Sequence, residues 1–220
     1  MSEKDQEIKE LYYWDEFRRE ALRRQGFNPE VLTNLASNLQ EFILNSQEKD
    51  PFRMFCQVID AAKERWKAES EAPFPFSGEW HHFLVPGVIL AAMRNSDYHI
   101  SESDIREGIQ RGAQAKISCG FTGVCGGANS IGVIGALVKR TNPLKEEERQ
   151  EIMQQASRVL WEISKLKNRC CKRSSYITLK EVANYLRENN YFLPQKEFSC
   201  PYHEENITCA KEECPFYPYR

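Results

Sequence analysis

The sequence predicts an all-α protein: a multi-helix bundle that ends in an irregular C-terminal tail. Apolar residues recur at a spacing of three to four along most of the chain, which is typical of amphipathic helices. Asn-Pro or Asp-Pro precedes three of these segments, in the order of a helix cap and a first helical residue. No segment shows the sustained alternation of apolar and polar residues that indicates a strand. The length of 220 residues suits one large domain, or one domain with an appendage.

Residues 1–72 form the first predicted part, a set of amphipathic helices. The first helix is highly charged. Asn28 and the proline after it predict the start of the second helix, and Asp50 with its proline predicts the start of the third. A proline-rich segment at residues 72–78 ends the helical pattern, so we place a boundary there.

Residues 78–190 form the second part, a cysteine-containing helical core. Residues 80–93 are apolar nearly all round, which predicts a buried helix that Pro86 either starts or kinks. Ser101 and Asp104 have the spacing of a capping box and predict the start of the next helix.

Small residues mark two segments of this core. Gly108 and Gly112 give one helix a small face, and several small residues occur within residues 126–138, so we expect helix backbones to approach closely there. Asn142 and its proline predict the start of a long helix, and a last helix is predicted over residues 174–188.

Composition excludes several classes of protein. Hydrophobic residues make up 41% of the chain and charged residues 28%, which excludes disorder throughout. A net charge of −2 favours neither a nucleic acid nor a membrane as partner. No apolar run approaches the ~20 residues that span a bilayer, and the charged N-terminus has no secretory signal. We therefore expect a cytoplasmic protein, in which eight cysteines serve metal binding or redox chemistry rather than disulfides.

Residues 191–220 form the third part, a tail with too little apolar area to order itself. Its candidate metal ligands are Cys200, His203, Cys209 and Cys214. The short spacers between them suit the tetrahedron of N and S ligands that zinc prefers, and binding would supply folding free energy. An iron–sulfur cluster on the three thiolates is the alternative metal. The alternative without metal is three idle thiols beside an exposed histidine. Acidic neighbours argue against nucleic-acid binding.

Cys119 and Cys125 lie in a glycine-rich loop that runs into the small-residue segment. Cys125 is predicted to lie near a helix N-terminus, where the helix dipole and free N–H groups favour a thiolate. The glycines would let the backbone approach a cluster, a substrate or an anion. The alternative is a tight turn with two buried thiols.

Cys170 and Cys171 precede the last predicted helix and are flanked by three cations, Arg169, Lys172 and Arg173. These charges favour a thiolate that serves as nucleophile, metal ligand or oxidisable sensor. Because the backbone directs adjacent side chains apart, we expect one of the pair to be the functional thiol and the other to support it. Two alternatives remain: the cations complement the end of the preceding helix, or they bind a phosphate-bearing ligand.

His81 and His82 open the predicted core helix. Two histidines in tandem suggest that one of them faces a site as a ligand or proton carrier, and His82 is our candidate. The alternative is a core histidine with satisfied hydrogen bonds. Cys56 lies beside the apolar stripe of the third helix and is interpreted as a core thiol.

These motifs together resemble a known family. The likeness rests on the segment from His81 to Pro86, Cys119, Cys125 with its Gly-Gly-Ala, the Arg-Cys-Cys-Lys-Arg run, and the tail cysteines. They are similar to a cysteine-rich domain of unknown function found in anaerobic bacteria and archaea, sometimes beside methyltransferase domains. The likeness covers about residues 78 to 217 and implies anaerobic metabolism without an established activity. A weaker resemblance, to the redox-active C-GCAxxG-C-C proteins, departs from their pattern at Cys125, where Gly-Cys-Ala is expected.

Two functions follow as hypotheses. The first is a cytosolic metal-binding thiol protein that carries an iron–sulfur cluster in a redox or sulfur-transfer role, with a separate zinc ion in the tail. The residues at its site are Cys119, Cys125 and Cys171 or Cys170, with His81 or His82 nearby, of which His82 is the catalytic candidate. The second is a zinc-stabilised, non-catalytic helical module that docks a partner enzyme, such as a methyltransferase, through its first three helices. In a third arrangement the tail cysteines complete one shared site. No residue set resembles a hydrolase triad or a nucleotide-binding loop.

Overall fold

A computed structural model describes residues 38–71, 73–78, 80–113, 119–206 and 208–219. The regular elements in these ranges are helices, and no strand occurs among them, so the all-α prediction is confirmed. Residues 38–45 are helical. The first predicted helix and the start of the second, at Asn28, lie outside the described residues.

One buried helix forms the centre of the bundle. The α-helices are α1 (Pro51–Glu69), α2 (His81–Asn95), α3 (Glu102–Gly112), the one-turn α4 (Cys119–Thr122), α5 (Ser130–Val138), α6 (Glu146–Ser164) and α7 (Cys171–Glu188). Every residue of α2 from His81 to Met93 is buried, and α1, α3, α5 and α7 pack around it. The apolar character of α2 on all sides is thus explained, and Pro86 lies inside the helix rather than at its start.

Side-chain caps set the first turns of α1 and α3. The Asp50 carboxylate accepts hydrogen bonds from the N–H groups of Phe52 and Arg53. Ser101 and Asp104 bond each other's backbone N–H groups in a capping box. Both predicted starts are confirmed, because such caps satisfy N–H groups that have no partner within the helix.

Two other helix starts differ from the prediction. α6 begins at Glu146, later than expected, because the side chain of Asn142 accepts an N–H two residues on at 2.9 Å and holds a turn instead. α7 begins at Cys171, earlier than expected, because the Sγ of Cys170 accepts the N–H of Arg173 at 3.4 Å and serves as its cap. The cap residue is therefore one of the candidate site cysteines.

The predicted small face of α3 permits a close crossing with α2. A Cβ added at Gly112 would lie 2.8 Å from the carbonyl oxygen of His82 and 2.8 Å from the Cα of Phe83. Both are backbone atoms of α2, so neither can move without the helix. One turn earlier, a Cβ on Gly108 would collide with the side chain of Leu90.

The small-residue segment at residues 126–138 is not one continuous α-helix. Gly126–Asn129 forms a 3₁₀ helix, and α5 follows it. Gly135 brings α5 close to α6, since its added Cβ would lie 2.9 Å from Ile152. Cys125 occupies the N-cap position of the 3₁₀ helix, so its predicted place near a helix N-terminus is confirmed, but its side chain makes no cap hydrogen bond.

The tail packs against the bundle through aromatic side chains. The rings of Phe198 and Phe216 lie 4.7 Å and 5.4 Å from the ring of Tyr176 in α7. Tyr202 and Phe216 are buried, and they share one hydrophobic cluster with core residues of α1, α2 and α7. The tail is thus ordered by surface that the bundle supplies, in keeping with the expectation that it cannot order itself, and a metal staple in the tail stays a prediction.

Tyr202→Phe should loosen the tail. The Tyr202 hydroxyl lies 2.9 Å from the carbonyl oxygen of Cys56 and 3.0 Å from Oδ1 of Asp60, both in α1. Loss of this hydroxyl removes the hydrogen bond that joins the tail to α1, so we expect the free energy of unfolding to fall by about 1 kcal/mol. Denaturant unfolding and limited proteolysis of the tail measure the effect. Tyr219→Phe, at an exposed ring, is the matched control, and equal proteolysis of the two variants would contradict the prediction.

Candidate functional site

The start of α7 divides the candidate cysteines into two groups. Cys170 is buried and meets the tail, whereas Cys171, the first helical residue, is partly buried and lies by Arg169. We call Cys170, Cys200, His203, Cys209 and Cys214 the tail cluster. We call Cys119, Cys125 and Cys171 the loop cluster. Cys170 and Cys171 thus face different surroundings, as expected because the backbone directs adjacent side chains apart.

The tail cluster lines one small cavity of about 10 Å³. Arg173 and Asn206 contribute to its wall. This volume suits about one water-sized body. It is too small for a multi-iron cluster, so among the metals considered it fits a single ion best.

The sulfur of Cys170 accepts two N–H groups. The backbone N–H of Arg173 lies 3.4 Å from it, and Nδ2 of Asn206, in the tail, lies 3.3 Å from it. Such bonds stabilise a thiolate more than a thiol, because a neutral thiol is a weak acceptor. Asn206 is itself held in place, since its Oδ1 accepts the hydroxyl of Thr208 at 2.8 Å.

The three tail cysteines share one local arrangement. The Sγ of Cys209 accepts the N–H of Lys211, two residues on, at 3.4 Å. The backbone N–H groups of the second residue after Cys200 and after Cys214 lower the pKa of each thiol in the same way. Burial outweighs these bonds, raising the pKa of Cys200 to about 12 and raising that of Cys214 as well. Both are therefore neutral thiols at pH 7 unless an ion replaces the proton.

His203 also faces this cavity. Its Nδ1 lies 3.2 Å from the carbonyl oxygen of Cys200, and with the proton on Nδ1 this is a hydrogen bond to that carbonyl. Its Nε2 is buried without a hydrogen-bond partner and lies 3.8 Å from Oε1 of Glu204. A histidine that donates from one nitrogen and keeps a lone pair on the other has the form of a metal ligand.

The thiols of the tail cluster do not form a closed coordination shell. In the part of the chain that the structure describes, no three His, Cys, Asp or Glu side chains are arranged to hold a metal ion. The cluster lines a common cavity, but its sulfurs must move together to bind an ion. Zinc in the tail therefore stays a prediction.

The three thiols of the loop cluster share one electrostatic partner, the guanidinium of Arg169. Partial burial lowers the pKa of Arg169, but Cys171, Cys119 and Cys125 outweigh it and raise the pKa above its ordinary value. Cys119 is exposed, and the other two thiols are partly buried. A Cβ on Gly127 would lie 3.6 Å from the sulfur of Cys125, so the glycine loop runs close past this thiol. The three cysteines predicted for this site thus share Arg169 as their cation, and the exposed Cys119 leaves one side of the cluster open to solvent.

Lys172 is a buried cation next to both clusters, which the sequence indicated only as a flanking charge. Its ammonium lies 4.3 to 5.7 Å from the ring centroids of Phe74, Phe76, Trp80 and Tyr202. Burial lowers its pKa to about 7, while the thiols of Cys170 and Cys171 act in the opposite direction. The four rings stabilise the charged form through cation–π contacts. The aromatic run of residues 74–80 was the only sequence signal for this cage.

The structure distinguishes the two tandem histidines. Nε2 of His81 lies 3.2 Å from Nζ of Lys172, and burial together with that ammonium lowers the pKa of His81 well below its usual value. The backbone of His82 belongs to a helix crossing, where its carbonyl accepts the hydroxyl of Ser130 at 3.4 Å. His82 is buried as well. His81, which sequence reasoning did not select, is the histidine that contacts Lys172.

The cysteine pattern now has a counterpart among known families. A model of DUF5714, a family of unknown function, matches residues 39–217. The chain belongs to DUF5714. The predicted membership of a cysteine-rich family of unknown function is confirmed, and the match extends into the first predicted part. The chain has no match among curated proteins or among solved structures.

All eight cysteines of this DUF5714 protein lie within the matched residues. Both clusters therefore belong to the family domain rather than to an appendage. Within the described ranges, the helices are too short or too polar to cross a bilayer.

Proposed function

We propose that this DUF5714 protein is a cytosolic metal-binding thiol protein that carries an iron–sulfur cluster on Cys119, Cys125 and Cys171, in a redox or sulfur-transfer role. The observation that carries the proposal is the common electrostatic partner of these thiols, Arg169. Thiolates are the ligands that iron–sulfur clusters require, and an adjacent cation compensates the negative charge of such a cluster.

The surroundings of the loop cluster support a reactive role over a purely structural one. Cys119 is exposed, so a substrate can reach this side of the cluster. Three protein thiolates leave one iron of a four-iron cluster without a protein ligand, and a substrate sulfur can bind there. Cys171 begins the 18-residue helix α7, where the dipole favours an anionic ligand.

A second candidate function is a zinc-stabilised module that docks a partner enzyme. Two observations favour it: the thiol-lined cavity of the tail cluster, and two large apolar side chains on the outer face of α6. Trp161 is 67% exposed and Met153 is 51% exposed. Aromatic residues and methionine are enriched at protein interfaces. In this function the loop cluster would hold no iron.

Anaerobic metal analysis separates the two functions. Protein purified without oxygen should be brown and contain iron and acid-labile sulfide. Cys125→Ser should remove most of the iron and sulfide while the helical circular dichroism is retained, because Cys125 lies in a loop at the surface of the bundle. Cys56→Ser is the matched control, since burial raises the pKa of that core thiol to about 11 and it lies outside both clusters.

Two results would contradict the iron–sulfur proposal. Colourless protein that contains zinc and no iron would favour the docking module instead. Full iron content in Cys125→Ser would show that the loop cluster is not the iron site.

A further inference from the structure

We infer that the tail cluster binds one zinc ion through four thiolates, and that the fourth ligand is Cys170 from the start of α7 rather than His203. Cys170 is buried in the same cavity as Cys200, Cys209 and Cys214. The ion would link the bundle to the tail instead of closing a loop within the tail. This inference is independent of the iron–sulfur proposal, which concerns the loop cluster.

Backbone N–H groups act on all four sulfurs. Cys170 accepts the N–H of the third residue after it, and Cys209 accepts that of the second. The N–H groups of Tyr202 and Phe216 lower the pKa values of Cys200 and Cys214. N–H bonds to sulfur orient thiolate ligands and reduce their charge in metal sites. Cys170 has an additional donor, the side-chain amide of Asn206, whose own position is fixed within the tail.

A buried cation lies next to the cavity. One zinc ion with four thiolates has a net charge of −2, which a buried site must compensate. Arg173 lines the cavity and is 3% exposed, and its Nε is buried without a hydrogen-bond acceptor. Its other nitrogens donate hydrogen bonds to Asn168. The side-chain amide of Asn168 in turn donates to the carbonyl of Thr208 in the tail, at 3.1 Å. A guanidinium N–H that lacks an acceptor fits an anionic site.

His203 is the lining side chain that we assign no place among the zinc ligands. Zinc takes four ligands, and the cavity offers five. The ring of His203 packs edge-on against the rings of Tyr217 and Tyr219, and its Nε2 lies 3.8 Å from Oε1 of the exposed Glu204. Through Nδ1 it bonds the carbonyl of Cys200 and so holds the backbone turn of that ligand. The fourth coordination position is left to Cys170, while His203 orients Cys200.

Binding replaces one proton on each of the four thiols, and these protons go to solvent. The ion then ties α7 to the tail, so the ordering of the tail and the position of the α7 N-terminus depend on each other. Cys171 of the loop cluster is joined to Cys170 by one peptide bond.

The test uses the full-length protein, stripped of metal by a chelator under reducing conditions and titrated with zinc or cobalt. We expect one ion per chain in the native protein. Cys170→Ser should weaken binding at least about 100-fold, beyond the range seen when only a supporting residue is lost. Cys56→Ser, at a core thiol outside both clusters, should retain one tightly bound ion, and His203→Gln, which removes only a positioning contact, should weaken binding by less than about 100-fold.

Spectroscopy of the native protein does not depend on how the variants fold. Cobalt absorption and zinc X-ray absorption should indicate four sulfur ligands and no imidazole nitrogen. Three sulfurs with one nitrogen, or loss of the ion in His203→Gln but not in Cys170→Ser, would overturn the assignment of Cys170. A native chain that binds no zinc would overturn the site as a whole. Neither result bears on iron at the loop cluster, which Cys125→Ser tests separately.

Discussion

Gly112→Ala should lower the free energy of unfolding by about 1–3 kcal/mol, the range for overpacking a close-packed contact. The new methyl group would lie 2.8 Å from two backbone atoms of α2, the carbonyl oxygen of His82 and the Cα of Phe83. Because α2 is buried along its length, it cannot shift without disturbing the helices packed around it. Chemical denaturation followed by circular dichroism measures the loss.

Gly132→Ala is the matched control for this substitution. Gly132 also lies in a helix, α5, but the nearest atom to its added Cβ is a side-chain carbon of Ile152 at 3.9 Å, an ordinary contact. Alanine is a better helix former than glycine, so this variant should be unchanged or more stable by up to about 1 kcal/mol. If both alanine variants have the stability of the native chain, the close crossing of α2 and α3 is not as described.

Acid should destabilise the native chain more than a His81→Gln variant. Burial lowers the pKa of His81 well below 6.5, so the folded state keeps the ring neutral, whereas the unfolded chain binds a proton below about pH 6.5. The unfolded state then binds more protons, and the free energy of unfolding falls as the pH decreases. The expected slope from this group is as much as about 1.4 kcal/mol per pH unit. Above pH 6.5 its contribution is fully present.

Urea unfolding at several pH values between 4.5 and 7.5 tests this slope. Lys172 affects stability at higher pH, because its pKa is about 7 in the folded state and 10.5 in the unfolded state. Its contribution to the free energy of unfolding rises as the pH increases between those two values. The exposed His99 provides the control substitution His99→Gln, which removes an imidazole outside the core. Equal slopes in the native chain and His81→Gln would show that the ring is not held neutral.

Much of the fold could be predicted because its determinants are local. Asp50 and Ser101 cap their helices through side chains within three residues, and the stripe of apolar residues identifies each buried face. The start of α6 was misplaced because Asn142 supports a turn as readily as a helix, and proline follows it in either case. The start of α7 was misplaced because a cysteine is an uncommon cap.

The candidate site also has one part that the local sequence predicts and another part that it does not. The tail spacing of Cys200, His203, Cys209 and Cys214 is visible because those residues are neighbours along the chain. The approach of Cys170 to them is not visible, because it depends on how Tyr202 and Phe216 dock against the bundle. The cage around Lys172 likewise combines rings from residues 74–80 with one ring from the tail.

Local sequence therefore determines the helices, their caps and the presence of thiol-rich segments near helix starts. Tertiary packing decides that Cys170 faces the tail while Cys171 lies by Arg169, and that His81 rather than His82 meets a buried ammonium. The physical reason is that propensity and capping act over a few residues, whereas the partners of a buried side chain come from segments far apart in the chain. Only the packed bundle brings those segments together.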